Sequence, residues 1–308
     1  MSLNNWMSQL DESLKNIPVI NLAIPGSHDS MSYTIKPTSD IAPDNEQIVL
    51  LLARVFGSPS RRVIHRWCAT QELTLLQQLN LGIRYLDLRI STKEGDTKLY
   101  AVHGLYGDEI YPHLQTLNNF LEEFPEEIII LDFQHFYNFS DETHELLISM
   151  IKNTFGGKLC PLPWDIMTVT LTWMLDHGYR VIAIYRDDLV EKHAELWPGV
   201  RWPTPWPQTT NSDALLKFLN KTMAHRPKNA GFVTQCLLTP DTKFVIHHPC
   251  GELRSKCSKP CLQAVIPWLK QQRPGLRGIN VVIIDFVEMG GDLFSKIVIG
   301  LNDLLLKP

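Results

Sequence analysis

Apolar residues fall into short runs that recur along the 308-residue chain, and helix-like stretches separate them. Residues 19–24, 83–90, 99–103, 127–133, 180–185, 231–237 and 280–287 read as strands. Several of these runs are continuously apolar rather than alternating, which suits parallel strands covered on both faces. Between them, residues 73–81, 113–124, 142–155, 213–222 and 262–271 carry apolar positions at helical spacing. Strands alternating with helices, with no polar linker, no low-complexity segment and no fixed-period repeat, predict an α/β fold. The expected form is one distorted β/α barrel of the TIM type spanning residues 1–308, with its reactive groups at the C-terminal ends of the strands.

Composition narrows the classes of function. An apolar content of 44%, a charged content of 20% and a net charge of −4 provide no overall basic field for nucleic acid, so no nucleic-acid partner is expected. The first 18 residues have neither a basic segment nor an apolar core of the secretory kind, and the apolar runs are far shorter than the roughly 20 residues needed to span a bilayer. The six cysteines read as reduced thiols, so a cytoplasmic protein with at most peripheral membrane contact is expected. The group His247, His248, Cys250, Cys257 and Cys261 has the composition of a metal knuckle, but its spacing lacks the paired Cys-x2-4-Cys hooks, and a polar loop is expected instead.

The candidate chemistry sits where apolar runs end. Ile-Pro-Gly-Ser-His-Asp-Ser, residues 24–30, places His28 beside Asp29 at the exit of the first run. Gly-Ile-Arg-Tyr-Leu-Asp-Leu-Arg, residues 82–89, places Asp87 and Arg89 two apart, so both leave one face of a strand. Such a charged pair in a barrel either forms a buried ion pair or meets a ligand. Val-His-Gly, residues 102–104, adds His103, and Asp285 interrupts Val-Val-Ile-Ile before Phe-Val, where a lone aspartate needs a partner. Two histidines, an arginine and several carboxylates suit acid-base chemistry on a phosphate ester.

These motifs, together with Ile-Ile-Leu-Asp-Phe at residues 129–133, resemble the X region of phosphatidylinositol-specific phospholipase C, and most of all the short proteins that carry only that domain. The resemblance covers nearly the whole chain. It implies cleavage of phosphatidylinositol in membranes to diacylglycerol and inositol cyclic phosphate. His28 matches the general base and Asp285 the carboxylate that orients it. Arg89 matches the cation on the phosphate oxygens, with Asp87 in the same motif. His103 matches the general acid, supported by Asp29. Arg186, Gln134 and His135 fall at rim positions suited to head-group binding, although the lysine and the Asp-x-Tyr of bacterial relatives are missing near Gln134 and near Thr234 and Gln235.

The larger eukaryotic phospholipases place carboxylates and an asparagine around calcium. Here Asp29, Arg89 and Gln134 stand at such positions, so the resemblance implies neither metal nor cofactor. Trp197, Trp202 and Trp206 cluster in a proline-rich loop that either packs on the barrel wall or dips into a lipid interface. Two other readings compete. A glycerophosphodiester phosphodiesterase would need clustered acidic metal ligands, and a catalytically weak or silent lipid-binding scaffold would have no use for His28, Arg89 and His103 together.

Overall fold

A computed structural model describes residues 2–44, 57 and 60–306. Nine strands are present among them: β1 (Ile24–Ser27), β2 (Tyr85–Thr92), β3 (Leu99–His103), β4 (Leu105–Glu109), β5 (Ile129–Tyr137), β6 (Val181–Tyr185), β7 (Trp197–Pro198), β8 (Val233–Gln235) and β9 (Val281–Ile284). Seven of them form a curled sheet in the order β7-β6-β5-β2-β1-β9-β8, with every neighbouring pair parallel. The fold is therefore α/β, a distorted TIM-like barrel. Between β7 and β8 the ring is joined without a ladder: the N–H groups of Gly231 and Val233 donate to the carbonyls of Arg201 (3.0 Å) and Pro203 (2.9 Å).

The sheet separates two apolar cores, which explains why its strands read as continuously apolar. Ile24, Tyr85, Ile130, Ile182, Ile184, Val233, Val281 and Ile283 fill the barrel interior with Trp197 and Trp202. The alternate residues, among them Leu86, Leu88, Leu131, Phe133 and Ala183, face outward against the helices. The helices used below are α1 (Ser60–Cys68), α2 (Leu75–Asn80), α3 (Ile110–Glu123), α4 (Asp141–Phe155), α5 (Ser212–Ala224), α6 (Thr242–His247) and α7 (Lys259–Leu269). Five of these coincide with the expected helices to within a few residues. Their limits follow from caps: Thr74 and Gln77 form a reciprocal capping box at the start of α2, and the Ser140 hydroxyl accepts from Thr143 N–H at the start of α4.

Two expectations are corrected. The first strand lies over residues 24–27, not 19–24, because residues 19–21 turn as a 3₁₀ helix and Pro25 and Gly26 are part of the ladder. Gly26 lies so close to Tyr85 and Ile283 that a Cβ there would sit 2.9 Å from each, so only glycine lets the three strands meet. Residues 99–103 are not a parallel barrel strand: β3 runs back antiparallel along the upper end of β2 and pairs with β4, a strand absent from the sequence reading. Of the two placements left open for the tryptophan loop, packing is the one found for Trp197 and Trp202, which are fully buried inside the barrel, whereas Trp206 is 37% exposed. Trp202 rests where Gly231 has no side chain, since a Cβ there would come within 2.1 Å of the indole.

Candidate active site

Inward-facing positions change character along each strand. Toward the N-terminal ends they are apolar, as in Ile24, Ile130, Ile182 and Ile283. At the C-terminal ends the same face carries His28, Asp87, Arg89, Asp132, Arg186, Gln235 and Asp285. The period-two pattern thus collects charge at one mouth of the barrel.

His28 is fixed from both sides of its backbone. Its N–H donates to the Ile284 carbonyl at 3.1 Å, and its carbonyl accepts from Gln71 Nε2 (2.9 Å) and Thr70 Oγ1 (3.1 Å). Gln71 Nε2 also donates to Ile284 O at 3.0 Å, which ties the ends of β1 and β9 together. The next residue, Asp29, adopts φ +44°, in the left-handed region uncommon for a residue with a Cβ. Its N–H donates to Asp87 Oδ2 at 3.1 Å, and Ser30 N–H donates to the Asp87 carbonyl at 2.8 Å. That turn aims Asp29 and His28 into the mouth from successive positions.

The His28 ring bridges a carboxylate and a guanidinium. Nδ1 lies 2.8 Å from Asp285 Oδ1, whose other oxygen accepts from Ser258 Oγ at 3.2 Å. Nε2 lies 2.8 Å from Arg89 Nη2. Arginine has only donors to offer, so Nε2 must present its lone pair and Nδ1 must carry the proton donated to Asp285. The geometry therefore assigns the tautomer: the proton sits on Nδ1, and the basic nitrogen is turned to Arg89.

His103 is held in a second pair. Its Nδ1 is 2.8 Å from Asp29 Oδ2 and 2.6 Å from the Cys68 carbonyl, two acceptors on one nitrogen, which again places the proton on Nδ1. Burial opposes ionisation of Asp29, but the charges of His103 and Arg89 outweigh it and hold the pKa down to about 2. The two imidazoles lie 6.2 Å apart, edge to face. Arg89 stands between the carboxylates, with Nε 3.8 Å from Asp29 Oδ2 and Nη2 3.6 Å from Asp87 Oδ2. The guanidinium thus occupies the space between two acidic groups.

A second polar layer lies alongside. Arg186 holds Asp132 in a two-pronged pair, Nε to Oδ1 at 2.8 Å and Nη2 to Oδ2 at 2.6 Å, and the Tyr85 hydroxyl also donates to Asp132. Burial disfavours the Arg186 charge, but Asp132 outweighs it and keeps the guanidinium firmly protonated. Gln134 reaches the Tyr85 hydroxyl at 3.4 Å. In the β2–β5 ladder Leu88 faces Phe133 and Arg89 faces His135, so Gln134 is the extra residue of a β-bulge. The bulge turns two consecutive side chains toward the mouth. Burial, and then the positive field of Arg89, lowers the pKa of His135 below the ordinary histidine value.

The six residues expected to perform chemistry are thus one contiguous cluster, and Arg186, Gln134 and His135 adjoin it. Arg186 is committed to Asp132, a residue the sequence reading quoted in a motif but did not assign to the site. Thr70, Gln71, Ser258 and Tyr85 were also missed. An aspartate in an apolar run was the available signal for Asp132; Thr70 and Gln71 lie in a loop with no pattern to mark them, Ser258 ends a helical turn, and Tyr85 opens β2, where an aromatic residue reads as core. The knuckle-like residues are not gathered: His247 and His248 bond to the Lys243 and Phe244 carbonyls within α6, Cys257 and Cys261 are buried, and Cys250 is exposed. Among the described residues no group of three or more His, Cys, Asp or Glu is arranged to hold a metal ion.

The barrel is shared with bacterial phospholipases C. Phosphatidylinositol-specific phospholipase C from Listeria monocytogenes superposes with a TM-score of 0.60 over 98% of this chain and 99% of the other. The Staphylococcus aureus enzyme, in a variant containing pentafluoro-Phe, superposes with 0.63 over 96% and 97%. At 19% and 16% identity these likenesses are ones of fold. No protein-family model matches the chain.

The sequence itself is closer to another group. It is 40% identical to mouse PI-PLC X domain-containing protein 2 over 98% of this chain and 88% of that protein. It is 38% identical to human PI-PLC X domain-containing protein 3 over 98% and 94%, and 36% identical to human PI-PLC X domain-containing protein 1 over 98% and 93%. The chain belongs to the family of PI-PLC X domain-containing proteins.

Proposed function

We propose that this protein is a phosphoric diester hydrolase that cleaves phosphatidylinositol at membranes into diacylglycerol and inositol phosphate by acid-base catalysis. One observation carries the reading: two histidines, each backed by a carboxylate at 2.8 Å, flank one arginine. In this reaction the inositol 2-hydroxyl attacks phosphorus, and His28 Nε2 takes the hydroxyl proton. The bond from phosphorus to the glycerol oxygen breaks as His103 delivers a proton to that oxygen. Inositol 1,2-cyclic phosphate and diacylglycerol result. Water then opens the ring with the two histidines in exchanged roles.

Arg89 supplies charge to the non-bridging oxygens. An incoming phosphate takes over its Nη2 donor and thereby releases the His28 lone pair for the proton transfer. Attack from a neighbouring hydroxyl is already intramolecular, so the protein has mainly to move two protons and stabilise charge. Asp285 and Asp29 fix the tautomers and stabilise whichever imidazolium forms. A guanidinium lodged between Asp29 and Asp87 performs the electrostatic task that a divalent cation would perform there, which supports a metal-independent reaction. Arg186, Gln134 and His135 face the inositol ring. Among the described residues no helix is long and apolar enough to cross a membrane, and contact with the lipid surface is peripheral in this reading.

Phosphorus NMR of phosphatidylinositol vesicles incubated with the purified protein tests the proposal. A cyclic phosphate resonance that disappears with His28→Ala is expected. Unchanged lipid across a range of pH and detergent would overturn it in favour of a silent lipid-binding scaffold.

A further inference from the structure

Next to the two histidines lies a cavity that the proposed proton transfers do not use. His28, His103 and Asp285 line it together with a mostly apolar wall of Trp67, Leu237, Leu238, Pro240 and Leu253, interrupted by Thr70, Thr239 and Cys68, and the partly exposed Trp206 also borders it. The space, counted together with the solvent it opens to, is about 550 Å³. Trp67, Leu237, Leu238 and Leu253 are each under 5% exposed, so the walls are already formed. Arg186, Gln134 and His135 are not among the lining residues. Polar and apolar recognition are thus divided: the groups suited to a polyol stand over the barrel axis, and the apolar cavity opens beside the histidines. The Trp206 indole lies over Arg89, 5.7 Å from ring centre to guanidinium carbon, and its N–H donates to Thr239 Oγ1 at 2.8 Å.

We infer that this cavity receives the first part of the leaving group's hydrocarbon, so that the protein binds a single-chain phosphoinositide as a monomer, lifted out of water or membrane. The inference rests on the reaction proposed above, in which His103 protonates the leaving oxygen: a chain attached to that oxygen has an apolar wall within reach, whereas the inositol has polar partners on the other side. Trp206, which borders the cavity, is the side chain that must yield to admit the chain.

A homologous series of n-alkyl phosphates, from butyl to decyl and below their micellar concentrations, tests the cavity by calorimetric titration independently of turnover. Each methylene buried contributes about 0.8 kcal/mol, close to a fourfold gain in affinity. Kd is expected to fall three- to fourfold per carbon and then level off when the cavity is full. Leu238→Trp, which fills the cavity, brings the plateau to a shorter chain. Leu253→Gln, which makes a wall polar, flattens the slope, and thermal melts establish that each variant is folded. If one variant fails to fold, the other and the wild-type series still decide. Affinity independent of chain length in the wild type, or slopes and plateaus unchanged in both folded variants, would overturn the inference. Turnover of a soluble butyl ester of inositol 1-phosphate, measured in parallel, separates the two readings. A steep series with no turnover removes the proposed activity and keeps the cavity; turnover with a flat series does the reverse.

Discussion

Replacing His103 with alanine separates its role as an acid from its role as a structural ion pair. A general acid typically contributes 10²- to 10⁴-fold, or about 3 to 5 kcal/mol of barrier, and that loss falls on substrates whose leaving oxygen needs a proton. The same change strips Asp29 of a partner at 2.8 Å and leaves Arg89 at 3.8 Å as its near cation. Removing one member of a buried pair costs about 3 kcal/mol in stability. The variant should therefore melt lower as well as turn over slowly. Asp29→Asn in the same chain, which removes the stranded charge, should restore part of the melting temperature and none of the rate. Initial rates on phosphatidylinositol and on an aryl ester of inositol phosphate, whose leaving group departs as a stable anion, provide the readout. His103→Ala should lose at least 100-fold on the lipid and under tenfold on the aryl ester. Equal losses on both substrates would remove His103 as the acid, whatever the melting data.

Turnover should survive EDTA, because Arg89 fills the space between Asp29 and Asp87, and hard cations such as calcium usually need six to eight oxygen ligands; loss of activity in chelator, restored by calcium alone, would contradict this. Phosphatidylinositol should be cleaved faster than its bisphosphate in mixed micelles, since Arg186 is taken up by Asp132 and His135 is held neutral by burial and by Arg89; a faster bisphosphate would show that other cations serve the ring phosphates. Acid stability should report on Asp29: its pKa falls on folding from 3.8 to about 2, so it contributes roughly 2 kcal/mol above pH 4 that disappears as the pH falls to 2. Chemical unfolding between pH 5 and 2 should accordingly slope less steeply in Asp29→Asn, and identical slopes would disprove the coupling.

The barrel was legible because its strands are covered on both faces, and a continuous apolar run is the sign of that. The same sign misplaced β1: residues 19–23 are as buried as the strand itself, and Pro25 and Gly26 resemble an exit when they are in fact a point of close strand contact. His103 was legible as a residue and not as a position. β2 runs past the barrel rim and β3 returns along it, so the end of an antiparallel strand descends to the level of Arg89; apolar patterning carries no direction of pairing. His28 and Asp285 could each be recognised at the end of a run, but their contact spans 257 positions and depends on Gln71, which nothing local distinguishes. The bulge at Gln134 was equally silent, since an extra residue in a strand leaves the composition of the strand unchanged.

The seam between β7 and β8 has a consequence for how the molecule responds to strain. Elsewhere the ring is held by parallel ladders, but here two backbone bonds from Gly231 and Val233 and the Gln235 amide on Thr204 hold it to an irregular strap that ends in Trp206. The arc of the barrel that has no ladder and the roof over Arg89 are therefore one stretch of chain. Stiffness and access share a single fitting: a substitution that tightens the strap also lowers the roof, and one that loosens the mouth draws on the closure of the ring.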